Sequence, residues 1–499
     1  MQLKTKLFIA LLSLSGLALL LSTYWSLPLD LTLLGVAGLG VFTYLAVRYP
    51  EWFLVSAIFA PQWKSSWIFR PVAHLGDLTL IMLLCLVGGI VWRTMMWFGR
   101  LGYEEIRSLF SRQMSQILAF LVFAALVAVS YSYTSAPDYG GAKLMRFLLI
   151  GTLLFLSPFF IFFTEDDFRR FARLFVGFSA LTAVQLITSL ESRSQDAEGD
   201  ITRIGAGWLM GMAILILLFY PLSSNRNRQR LMVVGLLPLF IGGLMASAAR
   251  GPMVAVAIAS LFGMAVLIKE GQLRVTTAMF MLFFLVFGLG GAYLVLRQTD
   301  LGKYTAKAGE LEVLFTQGSS SGSAGKRVDF YRATIAALPN QPLMGTGIGS
   351  WSEFYFGNDQ RNYPHNLFLE ITFEEGIVGL IAFLALLTLV GISIFRMVGA
   401  SRSHFIVLGL LVLYCLIISL FSGDLDDNRL LWLWMGVTLS ICRLVQFRVS
   451  AMRSMQQAMR RPQYDPAGPV NAPAFSRHLA SERYSIGKKD QEWREKFVF

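Results

Sequence analysis

The sequence predicts an all-α, polytopic integral membrane protein, and three observations predict it. Of 499 residues, 55% are hydrophobic and only 15% charged, against roughly 25% charged in an ordinary soluble domain. The mean hydropathy is +0.58. The apolar residues are also gathered into blocks close to the ~20 residues that a helix needs to cross a bilayer. A water-soluble enzyme of this length is excluded, because the chain lacks the polar residues to cover itself.

Taken in order, the blocks fall at 7–22, 31–47, 52–69, 75–97, 114–133, 144–163, 171–190, 205–222, 231–248, 252–268, 275–296, 376–395, 405–421 and 429–446. They predict 12–14 membrane helices, with 14 favoured. The first carries Lys4 and Lys6 before its apolar run, as a signal peptide does. No small-x-small cleavage site follows Leu21 and another block comes at once, so it reads as a membrane helix. Pro61, Lys64 and several tryptophans interrupt the block at 52–69. That predicts a re-entrant or interfacial element, since a broken backbone in lipid must be satisfied by its neighbours. The blocks on either side of Arg250-Gly251-Pro252 are tightly paired.

This divides the chain into a membrane bundle at 1–296, an outer loop at 297–375, further membrane helices at 376–446 and a basic tail at 447–499. The loop has a charged opening at 300–312, a Ser/Gly stretch at 318–325 that reads as a hinge, a helix expected at 326–338, and a Pro/Gly turn cluster at 339–349. A loop of this length in a compact protein is expected to bind something or to act as a lid. The tail, rich in Arg, Gln, Pro and Ser, is expected to be disordered or to lie on the inner membrane surface.

The formal charge is +12 and the pI about 9.7, but the placement of the charge argues for membrane lipids and against nucleic acid as partner. Arg100, Arg107 and Arg112, then Arg169 and Arg170, then Arg226, Arg228 and Arg230, then Lys269 and Arg274, then Arg396 and Arg402 mark alternate connections. The intervening ones are acidic or mixed. By the positive-inside rule both termini are expected to be cytoplasmic and the large loop to lie on the outer face. Cys85, Cys415 and Cys442 lie in or beside apolar blocks, with no CxxC or Cys/His spacing. Neither a structural disulfide nor a zinc site is expected.

Ionisable residues close to the membrane on the outer side carry the functional signal, since each costs about 2.5–3.5 kcal/mol to place at bilayer depth. Lys143 and Arg146 begin the sixth block, Arg203 the eighth and Arg429 the last; Arg250 joins the ninth and tenth, and Lys326 and Arg327 lie in the loop. Without an Asp/Glu metal triad beside it, such a cationic set suits a diphosphate at the bilayer surface. Arginine grips phosphate oxygens bidentately and keeps its proton. Taken singly, Arg146 and Arg429 also fit snorkelling anchors, and Asp426 and Asp427 offer Arg429 a local ion pair. Of four histidines, at 74, 365, 404 and 478, His365 stands out in Tyr363-Pro-His-Asn-Leu-Phe-Leu-Glu370, just before an apolar block. His74 is a second external candidate.

Arg327-x3-Tyr331, Leu338-Pro-Asn-Gln-Pro-Leu-Met-Gly-Thr-Gly-Ile-Gly349, Pro364-His-Asn366 and Glu374-Glu-Gly-Ile-Val-Gly-Leu380 together resemble the signature of the O-antigen ligase/polymerase family. Its ligases show His, then Ser or Asn, with Leu four and Gly eleven residues after the His. Here these are His365, Asn366, Leu369 and Gly376. The likeness is close over 327–380, with supporting pieces at Thr202-Arg-Ile-Gly205, Ser247-Ala-Ala-Arg-Gly-Pro252 and Ser422-Gly-Asp-Leu-Asp-Asp-Asn-Arg429.

The resemblance implies a glycosyltransferase of the GT-C type in the bacterial inner membrane, with no cofactor. Such enzymes take a glycan from an undecaprenyl-diphosphate carrier on the periplasmic side. Ligases pass it to lipid A–core and polymerases to another repeat unit. The family's arginines fall on Arg203 and Arg327 and its histidine on His365. Arg203 is followed by Gly205-Ala-Gly-Trp208 and lacks the Pro-Asn of some members, which loosens that assignment. The expected site is therefore His365, Arg327 and Arg203 for catalysis, with Arg250, Lys143, Arg146, Lys326, Asn366 and Arg429 for substrate binding and no metal ligand. Glu370, Glu374 and Glu375 are alternative bases, though their helical spacing also fits a structural role. A transporter of a small anion, or a flippase of lipid-linked sugars, is the competing class. Against it, transporter sites lie at the bilayer midplane between inverted repeats, and no repeat is visible here.

Overall fold

A chain in hydrocarbon must satisfy its own backbone N–H and C=O groups, and a helix does so within one segment. The computed structural model describes residues 41, 44–45, 48–63, 78–98, 113–188, 197–269, 271, 323–398 and 401–460. All regular structure among the described residues is helical, as the sequence predicts. Eight helical runs among them are long and apolar enough to cross a membrane, at 114–133, 137–161, 165–188, 226–246, 250–269, 376–395, 402–419 and 429–450. The chain is a polytopic membrane protein. Shorter apolar helices run at 78–92 and 203–219. The expected blocks at 7–22 and 275–296, most of 31–47, the hinge residues 318–322, the charged segment 300–312, His74 and the tail beyond 460 lie outside the described residues.

Numbered along the described residues, the helices are α1 (Glu51–Trp63), α2 (Leu78–Phe98), α3 (Met114–Ser130), α4 (Pro137–Arg146), α5 (Thr152–Ile161), α6 (Glu165–Thr188), α7 (Ala197–Phe219) and α8 (Arg226–Ala246). There follow α9 (Arg250–Lys269), α10 (Ser323–Ala337), α11 (Ser350–Phe356), α12 (Leu367–Glu374), α13 (Gly376–Phe395), α14 (Arg402–Ser419) and α15 (Arg429–Arg460). The first turns of α15 are the hub: it packs on α5, α13 and α14, and Trp432 and Trp434 are fully buried. Trp432 meets Phe120, Phe123, Phe147 and Phe383, and Phe120 stacks on Phe155 at 3.9 Å. Lipid tails are as apolar as leucine, so close ring packing of this kind holds such helices together.

Two elements depart from the sequence reading, each for a local reason. The described part of α1, 13 residues with Pro61 near its end, is about 20 Å long, short of the ~30 Å hydrocarbon core, in keeping with the interrupted block read there. The helix expected from 144 begins at Pro137, whose fixed φ suits a first helical position. Its free N–H groups at Asp138 and Tyr139 donate to the Asp359 carboxylate, at 2.7 and 2.9 Å, a cap supplied from far along the chain. A π-turn at Phe147–Gly151 then joins α4 to α5. At the C-terminal side, α15 continues to Arg460, so the first part of the expected tail is helical. Its Ala, Met, Gln and Arg residues are good helix formers.

The turn cluster 339–349 docks the stretch 323–375 onto the bundle, and its glycines explain why. Gly345, Gly347 and Gly349 all have positive φ. A Cβ at Gly347 would lie 2.4 Å from Thr134 Cα, while its own N–H donates to the Glu374 carbonyl at 2.8 Å. The Thr134 hydroxyl returns a bond to the Ile348 carbonyl at 2.7 Å. Gly347→Ala therefore combines left-handed strain with a backbone clash, and is expected to cost about 3 kcal/mol or more. Faster proteolysis between α10 and α12, with a lowered Tm in detergent, would register the loss. Unchanged cleavage would show that the loop is held elsewhere.

Candidate active site

The candidate site lies where the stretch 323–375 meets the starts of α4 and α15. On α10, Arg327, Phe330 and Tyr331 stand at i, i+3 and i+4 and so share one face. Phe330 lies parallel to the His365 ring, with centroids 6.2 Å apart. The Tyr331 hydroxyl is 3.2 Å from the His365 carbonyl oxygen and 2.9 Å from that of Leu420, so α10 holds His365 against the end of α14. Tyr363 closes on the ring at 4.4 Å. Lys326, one position off this face, is exposed.

His365 itself has φ 58°. Left-handed backbone outside glycine costs about 1–3 kcal/mol and persists only where the surroundings impose it, although histidine enters this region more readily than most residues. Its Nδ1 is buried and makes no hydrogen bond. Burial, and then the Arg327 charge, hold the imidazole down at about 4. The ring is therefore neutral at pH 7 and can take up a proton. Arg327 and His365 are the two sequence-predicted site residues that the fold brings directly into each other's field.

The other expected cations divide. Lys143 lies within α4 and does not begin its helix, as the sequence suggested it would. It is fully buried and ion-paired with Glu370 and Glu374, which are themselves fully buried. Its charge is offset within the protein by these two carboxylates. Arg146 lies 3.6 Å from Asp426. Arg429 opens α15 close behind Asp426 and Asp427, whose carboxylates pair with Arg146 and Arg361. Asn366 caps α12, its side-chain oxygen accepting from the N–H groups of Phe368 and Leu369 at 3.0 and 3.2 Å, the usual role of an N-cap asparagine. Arg203 and Arg250 sit at this same end of the molecule. One turn after Arg203, Gly207 abuts Ser247 and Ala249, the residues leading into Arg250, and Trp208 touches Gly423.

Sequence reading did not count the aspartates before Arg429 as a triad, although Asp424, Asp426 and Asp427 stand within four positions of one another. Asp424, Asp426 and Asp427 place carboxylate oxygens within 4.8 Å of one another and are the residues here that could gather a metal ion. Arg361 already pairs with Asp427 at 2.7 Å and Asp424 at 3.5 Å. Although burial opposes it, Asp424 is held down at about 2 by a hydrogen bond from Asp426 and by the charges of Lys143 and Arg361. Burial and the neighbouring Asp424 push Asp426 well up, so one carboxylic acid donates to one carboxylate.

Residues 235–384 match the family model described as O-antigen ligase. That match supports an O-antigen ligase/polymerase family assignment. The matched ligase region contains Arg250, Lys326, Arg327, His365 and Asn366, and leaves Lys143, Arg203, Asp424 and Arg429 outside. It supports a membrane glycosyltransferase of the ligase/polymerase type. A search of curated proteins gave no match. Sequence reasoning missed Arg361, Tyr139 and the ring-packing role of Phe330. Tyr331, one turn after Arg327, was the available signal for the α10 face. Arg361, in an irregular polar stretch, had none.

Proposed function

We propose that this protein transfers a glycan from an undecaprenyl-diphosphate carrier to an acceptor hydroxyl at the periplasmic face of the bacterial inner membrane, with inversion and without a metal. The observation that carries the reading is a neutral, strained histidine beside an arginine. Arg327, with Arg203, Arg250 and Lys326 at the same end, receives the diphosphate. The acceptor hydroxyl attacks the anomeric carbon from the face opposite the diphosphate, and its proton passes to His365. The bond from the anomeric carbon to the diphosphate oxygen breaks as the new glycosidic bond forms. Fixed positive charge stabilises the negative charge that develops on the leaving group, and lipid A–core or a second glycan chain supplies the hydroxyl. The carrier's polyprenyl chain lies among the apolar helix faces. Chemistry gathered at one end of the bundle favours transfer over a midplane transport site.

The glycan phenotype of a deletion strain tests this. Accumulated carrier-linked polymer is expected for a ligase and single repeat units for a polymerase; an unchanged glycan profile would overturn both. Transfer by membranes is also expected to survive EDTA. A loss restored by a divalent cation would move the chemistry to Asp424, Asp426 and Asp427.

A further inference from the structure

Arg361 and Glu370 stand four residues before and five after His365, and both are tied by charge to other parts of the fold. Arg361 reaches Asp427 and Asp424. Asp424, fully buried, also accepts the Tyr139 hydroxyl of α4 at 2.8 Å. Glu370 pairs with Lys143 of α4 and accepts the Leu425 N–H at 3.0 Å. The segment bearing His365 is thus bound on both flanks to α4 and to the turn that precedes α15.

Such an arrangement is a costly way to gain stability. Desolvation offsets most of the attraction in a buried ion pair, and apolar residues of similar shape often do as well. What paired buried charges do supply is register, since a shift leaves a charge unpaired at depth. A left-handed histidine whose Nδ1 has no partner needs that register from outside itself.

We propose that Lys143, Glu370, Asp424 and Arg361 form a buried ionic clamp that sets the position of His365, as positioning residues that touch neither donor nor acceptor. The inference rests on the reading of His365 as the base. Arg327 and Tyr331 from α10, Tyr363 from its own segment and Asp424 from the turn before α15 are the charged or titratable groups around the ring.

The test uses the full chain in detergent. Diethyl pyrocarbonate acylates neutral imidazole, so the pH midpoint of His365 acylation, read by mass spectrometry, reports how the ring is held. In Lys143→Met/Glu370→Gln/Glu374→Met no buried charge of the set is left alone. This variant is expected to melt close to the wild type, and its midpoint to rise by about one pH unit or more toward the ordinary 6.5. Glycan transfer in a complemented deletion strain is expected to fall about tenfold or more. Wild-type midpoint and transfer would overturn the clamp. Should the triple variant fail to fold, Arg361→Gln, at a half-exposed position, is expected to move the midpoint in the same direction, and no movement is equally decisive. Full transfer by a His365 variant would instead sink the reading of His365 as base, while the acylation midpoints still judge the clamp.

Discussion

His365→Asn is expected to lower glycan transfer by about 10²–10⁴-fold, the usual contribution of a positioned base, with insertion into the membrane unchanged. Asparagine is chosen because it tolerates left-handed backbone, so the variant removes the proton acceptor without adding strain at φ 58°. Glycan from a complemented deletion strain, resolved on a gel beside an immunoblot for the protein, gives the comparison. Wild-type product at equal expression would take the base role from His365 and leave Glu370, Glu374 and Glu375 to be tested. The acid limb of the pH profile adds a second check. Burial and Arg327 depress the imidazole to about 4, so the base is already unprotonated above that value. Transfer per donor encountered is therefore expected to hold from neutral pH down to about pH 5 and to fall only as protonation sets in near 4. A fall centred near 6.5 would mean that the ring is not held as the structure shows.

Arg327→Ala carries the second large effect, a loss of about 10²–10³-fold, the range measured when one preorganised group is removed from a developing negative charge. Its distinguishing feature is electrostatic. Arg327 is the second cause, after burial, of the low His365 value. Arg327→Gln is therefore expected to raise the midpoint of the acid limb while lowering the plateau. Arg327→Lys keeps the charge and is expected to hold the midpoint near its wild-type value. It should recover only part of the rate, because an ammonium cannot make the two parallel bonds of a guanidinium. A plateau unchanged in Arg327→Gln would remove Arg327 from the diphosphate site. The same reasoning bears on the order of events: a diphosphate bound at Arg327 would offset its charge and make the neighbouring imidazole more basic.

Several features of the site were legible before any coordinates. The i, i+4 spacing of Arg327 and Tyr331 requires one helical face, and that face meets His365. The run Met344-Gly-Thr-Gly-Ile-Gly349 marks a stretch that needs positive φ, and all three glycines have it. The block at 376–395 coincides with α13, because a long apolar run bounded by glycine and arginine leaves little choice of ends. The start of α4 was not legible. Its cap, Asp359, lies 221 positions away from Asp138, and no local pattern announces it.

Lys143 shows the same divide from the opposite side. As one symbol in a string it resembled the other outward cations, since a charge near a membrane block reads alike whether it faces phosphate, lipid headgroups or a buried glutamate. Composition and periodicity by themselves determined that this chain is helical and crosses a membrane many times, because hydrophobicity and helical spacing are local properties of the chain. Which cations stay available and which are neutralised by Glu370, Glu374, Asp424 and Asp427 was decided only in the tertiary structure. Electrostatic partnership depends on distance and burial, and both arise when segments far apart in the chain come together.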